Sequence, residues 1–435
     1  MDFHKYIEVL QDAKTIVYKG KVEKIIGLVI ESTGPHSNIG DVCRIYFPRE
    51  EKSILAEVVG FKEGKVLLMP FEDIAGIGPG CVVISTGDVL QVPVGEQLIG
   101  RTIDGFGHPI DNLAPLGAMP TYSVQNIPSN PLSRPRIDRR INIGVKAIDA
   151  LTTCGVGQRM GIFSGSGVGK STLLGMIARN IEADINVIAL VGERGREVRD
   201  FIEKDLGPKG MERSVLVVAT SDQPAMMRLK CALTATTIAE YFRDKGKRVL
   251  LLMDSLTRFA MAQREIGLAI GEPPVARGYT PSIYSMLPRL LERSGNFETG
   301  SITGIYTVLV EGDDVNEPIS DAVRGIIDGH IILSRFIAAR NHYPAIDVLS
   351  SISRLMPDLV AADHLKLAGN IRKIMAIYQD NADLISIGAY KAGSNPELDK
   401  AISCIDRING FLCQDVHESF GYEDTLELMR LVGEC

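Results

Sequence analysis

At 435 residues, 45% of them apolar and 23% charged, the chain has an ordinary globular balance and enough length for two to four domains. A net charge of −7 argues against a nucleic-acid footprint, which usually leaves a basic domain, and no apolar run reaches the length of a membrane span. The seven cysteines are scattered, show no metal-ligand spacing and fit a reducing cytosol, as does an opening (Met1 to Tyr6) without secretory-leader character.

Near the start, Phe3, Tyr6, Ile7 and Leu10 recur at i, i+3, i+4 and i+7, which predicts a short amphipathic helix within residues 1–16. Its apolar stripe either folds back on its own domain or is offered to a partner helix. Residues 17–92 change to short strands with Gly, Asp and Asn between them, among them Val42–Tyr46, Ile54–Val59 and Val66–Met69. That spacing reads as a small β-barrel or sandwich with a role in assembly, since no catalytic cluster occurs in it. Between Leu113 and Arg140, five prolines predict an extended connector, and Arg134, Arg136, Arg139 and Arg140 read as solvated or subunit-facing.

Residues 93–353 read as an α/β domain. Continuous apolar strands (Val187–Val191, Val215–Ala219, Val249–Met253, Gly304–Val310) alternate with helical segments such as Ala225–Arg243 and Arg258–Gly267, which predicts a parallel sheet covered on both faces. From Arg354 to Cys435 the chain reads as helical.

The stretch around which this domain is organised is Gly161–Thr172: an apolar entry, a glycine-rich bend, and a Lys-Ser pair opening a helix. That is a phosphate-binding P-loop. Gly165, Gly167 and Gly169, with Ser166 and Val168 between them, let the backbone wrap an anion with its N–H groups inward. The helix beginning near Lys170 adds its positive end, Lys170 reaches the β- and γ-phosphates, and Ser171, followed by Thr172, offers a hydroxyl to Mg²⁺. The strict pattern has glycine where this chain has Ser164. Asp254 closes an apolar strand at the sheet's carboxyl edge, where a carboxylate holds Mg²⁺ through its water shell. Glu193 closes another strand at that edge and is the candidate to orient and deprotonate a water aimed at the γ-phosphate, with Arg194 beside it.

Several separate runs share one resemblance: Thr153–Met160, Gly192–Glu197, Met253–Ala260, Arg277–Pro281 and Pro344–Arg354. Together they resemble the rotary ATP synthase α/β family and, within it, the type III secretion and flagellar export ATPases. The resemblance implies a RecA-like P-loop core, preceded by a small N-terminal β-barrel and followed by a C-terminal helical domain, assembled as a homohexamer with ATP and Mg²⁺ at subunit interfaces. It implies that Arg354 is an arginine finger reaching the neighbour's γ-phosphate and that Tyr343 stacks on adenine. The implied activity is ATP hydrolysis that energises flagellar protein export by releasing and unfolding substrates and chaperones. The implied partners are a regulatory stator-like protein at the N-terminus, a central-stalk-like protein and a membrane export gate, which the cytoplasmic ring meets peripherally.

Four other readings compete. Two lie within the family, an injectisome ATPase and a catalytic rotary-synthase subunit. The carboxylate at Glu193, an amide in non-catalytic synthase subunits, marks a catalytic chain. An RNA-driven ring helicase would interleave aromatic and basic residues in the barrel, whereas Phe47, Phe61 and Phe71 have acidic or neutral surroundings. A nucleotide-gated scaffold with little turnover is disfavoured by Glu193.

Overall fold

The computed structural model describes residues 17–48, 52–310, 314 and 317–433; the helix expected within 1–16 lies outside them. Six strands open the described chain: β1 (Lys19–Ile26), β2 (Val29–Ser32), β3 (Asp41–Tyr46), β4 (Ser53–Lys62), β5 (Lys65–Pro70) and β6 (Val82–Val89). They form a closed antiparallel barrel in the order β1-β2-β5-β4-β3-β6. Pairing of Lys19–Lys21 with Val82–Ile84 closes it and decides between barrel and sandwich. Closure leaves no sheet edge exposed. Val22, Ile30, Ile45, Ile54, Val58, Leu68 and Val83 fill the interior.

The second sheet has nine strands. Its main path uses β7 (Thr102–Ile103), β8 (Arg159–Ser164), β9 (Ile185–Glu193), β10 (Ser214–Thr220), β11 (Arg248–Asp254), β12 (Ser301–Leu309), β13 (Gly329–Leu333) and β14 (Ile346–Ser353). Their order is β14-β13-β8-β12-β11-β9-β10-β7, with Gly295–Asn296 paired on β12. The pairs from β13 to β7 are parallel, as their unbroken apolar runs predict; β14 and Gly295–Asn296 are antiparallel additions.

Among the helices are α1 (Lys146–Leu151), α2 (Lys170–Asn180), α3 (Ala225–Asp244), α4 (Leu256–Ala269), α5 (Pro281–Leu291), α6 (Pro318–Ile326), α7 (Ala362–Asp380), α8 (Pro396–Leu412) and α9 (Tyr422–Gly433). Side chains alternate across each strand, so the sheet feeds two cores. Val187, Ala189 and Val191 pack with α3, α4 and barrel residues such as Met69 and Phe71. Ile188 and Leu190 pack with α2 and with Ile371, Ile408 and Met429 of the helical domain.

The connector corrects one expectation. Arg134 is half-buried: it donates to the Glu292 and Ser294 carbonyls at 2.5 and 3.3 Å and lies against the Phe297 ring. Arg140 lies 3.7 Å from the centre of the Tyr422 ring. Arg136, Arg139 and Arg140 are exposed, as expected. Proline density marks an extended path, but not the carbonyls and rings beneath it. Farther in, Arg293 and Glu240 are each 2% exposed and form a two-bond ion pair (2.9 and 2.7 Å) that also takes in Val124 and Asn126 of the connector. Arg293→Met leaves Glu240 charged and buried, so unfolding stability is expected to fall by about 3–5 kcal/mol, read as a lower urea midpoint with unchanged slope.

Candidate functional site

The P-loop bends where the sequence places its glycines. β8 ends at Ser164, Gly167 and Gly169 have φ of 79° and 81°, and Gly169 caps α2. Both φ values lie in the left-handed region that glycine adopts without strain. A Cβ on Gly167 would meet open space, whereas one on Gly169 would lie 3.4 Å from the Tyr343 ring. Val168 is buried in the core beside α2 and pins the loop from below, while Ser166 is exposed. Gly165 is buried at the strand end; Ser171 and Thr172 stand on the first turn of α2, Ser171 exposed. Ser164 is buried, and its Oγ has no hydrogen-bond partner among the described residues.

Parallel register brings the acidic residues to Lys170. Leu190 of β9 pairs with Asp254 of β11, so Glu193 and Asp254 both emerge at the sheet's carboxyl edge. The Lys170 ammonium lies 2.5 Å from Asp254 Oδ1 and 3.5 Å from Glu193 Oε1. Thr307 of β12 donates to Asp254 Oδ1 at 2.7 Å.

Burial sets the electrostatics. Burial, reinforced by the charge on Asp254, raises the Glu193 carboxyl to about 7, while Lys170 and Arg258 pull it the other way. Its Oε1 is buried without a hydrogen-bond partner among the described residues. Burial alone would lower Lys170, but the two carboxylates outweigh it and hold the ammonium above its ordinary value.

Two site residues were not singled out from the sequence, Thr307 and Arg258. The Arg258 side chain runs along Gly192, with its Cβ, Cγ and Cδ 3.2–3.5 Å from where a glycine Cβ would sit, and its Nε is buried without a hydrogen-bond partner among the described residues. The signal for Arg258 was available: it stands four residues after Asp254 on a helix that starts at the strand end, and i+4 returns a side chain to that end.

Arg194 and Arg354 lie apart from this cluster. The Arg194 side chain is 77% exposed and faces Glu197 at 3.6 Å. β14 runs antiparallel to β13, pairing Ser353 with Gly329, so Arg354 emerges at the end of the sheet where β8 begins. The six residues of β8 span about 20 Å, farther than an arginine side chain reaches back to its own P-loop. Arg354 is exposed, its N–H donates to the Asp328 carbonyl, and its guanidinium donates to the Arg324 carbonyl at 3.1 Å. Tyr343, 41% exposed, leaves part of its ring free beside the P-loop.

Three family models cover most of the chain: the ATP synthase alpha/beta family β-barrel domain over residues 22–87, its nucleotide-binding domain over 144–353, and the type III secretion EscN ATPase C-terminal domain over 360–430. The flagellum-specific ATP synthase of Bacillus subtilis is 58% identical over 95% of both chains. The chain belongs to the flagellar and type III secretion ATPases of the ATP synthase α/β family. Among solved structures of this family, the assembled ATPase EscN of the enteropathogenic E. coli type III secretion system is 48% identical and superposes with a TM-score of 0.91, covering 95% of this chain and all of the other. EscN in complex with its central stalk EscO gives 0.88 at 47% identity, again over 95% of this chain and all of the other. The barrel, nucleotide-binding core and helical domain are thus the family's three parts, and Lys170, Glu193 and Asp254 meet at one edge of that core.

Proposed function

We propose that this member of the family is a flagellar export ATPase, an ATP hydrolase whose turnover energises delivery and unfolding of export substrates and their chaperones. The observation that carries the flagellar assignment is the 58% identity to a flagellum-specific relative over 95% of both chains, against 50% to a type 3 secretion system ATPase over a similar share. The structural similarity to EscN supports an injectisome ATPase as the second reading. In the organism that carries this protein, deleting its gene is expected to abolish secretion of flagellin and filament assembly, with recovery on re-expression. Normal filaments together with loss of another secreted set would favour the second reading.

In this reading ATP lies on the P-loop (Gly165 to Thr172), with Lys170 on its phosphates and Tyr343 under its base. No cluster of three or more His, Cys, Asp or Glu among the described residues could hold a metal unaided. The exposed Ser171 hydroxyl and the Asp254 carboxylate are oxygen donors that suit Mg²⁺, which takes most of its ligands from phosphates and water. When bound, that cation neutralises charge on the phosphates. Glu193, whose Oε1 has no hydrogen-bond partner among the described residues and faces Lys170 at 3.5 Å, accepts a proton from the attacking water. Arg258 is the nearby cation for the γ-phosphate, and Arg194 joins it only after leaving Glu197 and turning in from solvent. Arg354 serves the next subunit of a homohexameric ring.

A stator-like partner on residues 1–16, a central-stalk-like protein, and peripheral docking of the cytoplasmic ring at a membrane export gate complete the reading. No described helix is long and apolar enough to cross a membrane.

The raised carboxyl of Glu193 gives a pH prediction. Protonated, Glu193 cannot accept a proton, so kcat/KM is expected to rise with pH through about 7 and level off above it. Glu193→Gln should remove that limb, leaving a residual rate flat across the same range. A limb that persists unchanged in the variant would assign it to another group.

A further inference from the structure

Between α8 and α9 the chain makes a turn, residues 413–421, in which Asp415, His417 and Glu418 are exposed while Gln414 faces the nucleotide-binding core. Gln414 is 6% exposed and is the centre of it. Its main-chain N–H donates to the Tyr343 carbonyl at 3.0 Å. Its side-chain oxygen accepts from the Lys146 N–H at 2.9 Å, and its amide nitrogen donates to the Gly144 and Glu418 carbonyls at 2.9 and 3.0 Å.

The same turn grips the far end of the P-loop helix. Arg179, in the last turn of α2, donates to the Val416 carbonyl at 2.6 Å, and Asn142 donates to the Phe420 carbonyl at 3.1 Å. The Lys146 ammonium lies 4.5 Å from the centre of the Phe420 ring. One turn of the helical domain therefore holds the main chain of Tyr343, the start of α1 and the end of α2 in a fixed relation.

We infer that Gln414 is a positioning residue for the base end of the nucleotide site: its side chain anchors the turn whose main chain fixes Tyr343 beside the P-loop. The inference rests on the reading of Tyr343 as the base platform. It follows from where the bonds go. Among the described residues the side chain of Gln414 binds main-chain groups at Gly144 and Lys146, where α1 begins, and in its own turn, so it sets the position of the Gln414 N–H, and that N–H meets Tyr343. This chain of contacts meets the phosphate cradle through the Tyr343 ring beside Gly169, and none of the hydrogen bonds named here reaches Gly167 or Lys170. The base should therefore be felt and the phosphates should not.

The test compares two ligands, ATP and inorganic tripolyphosphate, which has the phosphates without the base. Gln414→Met keeps the length of the side chain and removes its hydrogen bonds. It is expected to weaken ATP binding and raise KM about tenfold, the weight of one or two hydrogen bonds, while turnover at saturating ATP falls far less. Tripolyphosphate affinity, measured by competition, should stay within about twofold. Equal loss for both ligands, or loss for neither, overturns the inference. If Gln414→Met does not fold, Gln414→Glu, which keeps the bond from the Lys146 N–H and loses the two donated ones, takes the same measurement. Tyr343→Ala separates this inference from the reading beneath it. If that variant binds ATP as the unaltered protein does, the base-platform reading fails and the inference falls with it. If Tyr343→Ala weakens ATP alone and the Gln414 variants do not, only the role of Gln414 is overturned.

Discussion

Glu193→Gln is expected to bind ATP normally and to hydrolyse it about 10²-fold more slowly or worse. The amide keeps the shape and the reach of the carboxylate but cannot take a proton. The size of the effect follows from the position. Glu193 is 8% exposed, closes β9 at the edge where the P-loop opens, and has an oxygen without a hydrogen-bond partner 3.5 Å from Lys170. A surface carboxylate in an ion-pair turn would change the rate little when made neutral, since such pairs are worth about 1 kcal/mol or less. Binding isotherms and single-turnover rates on the same preparation separate the two effects. Turnover within a few-fold of the unaltered protein would remove Glu193 from the reaction.

How much of this was legible in the sequence depends on how local the cause is. The P-loop, Asp254 and Glu193 announce themselves because each follows an apolar strand, and parallel strands put their carboxyl ends on one edge. Thr307 was not legible: its hydroxyl reaches Asp254 only through the register of β11 on β12, which composition does not carry. The antiparallel edge strand β14 was hidden for a related reason. Its burial alternates, with Asp347 and Ser350 outward, so it lacks the unbroken apolar run that marked the central strands. Gln414 gave no signal either, because a glutamine in a loop reads as solvated until the carbonyls around it are known. Arg354 was named through its family motif, and only the topology puts it at the opposite end of the sheet from Lys170.

That placement makes the second large effect a statement about assembly. Arg354→Ala is expected to bind ATP normally and to lose about 10³–10⁵ in rate, the contribution of an arginine finger in trans. In the proposed reading the finger serves the neighbouring subunit, so specific activity of the unaltered protein is expected to rise steeply with protein concentration. An arginine that merely tied β14 to the Asp328 and Arg324 carbonyls would lower stability and leave the rate per folded chain unchanged.

The central claim, that each active site is completed by a second copy of the chain, is tested most directly by mixing two inactive variants. Lys170→Ala lacks a working P-loop but keeps its finger; Arg354→Ala keeps the P-loop and lacks the finger. In mixed rings some Arg354→Ala sites receive a finger from a Lys170→Ala neighbour, so the steady-state ATPase rate of the mixture is expected to exceed that of either variant alone at the same total concentration. No recovery in rings shown by mass to contain both variants would contradict the claim and return Arg354 to a structural role within its own subunit.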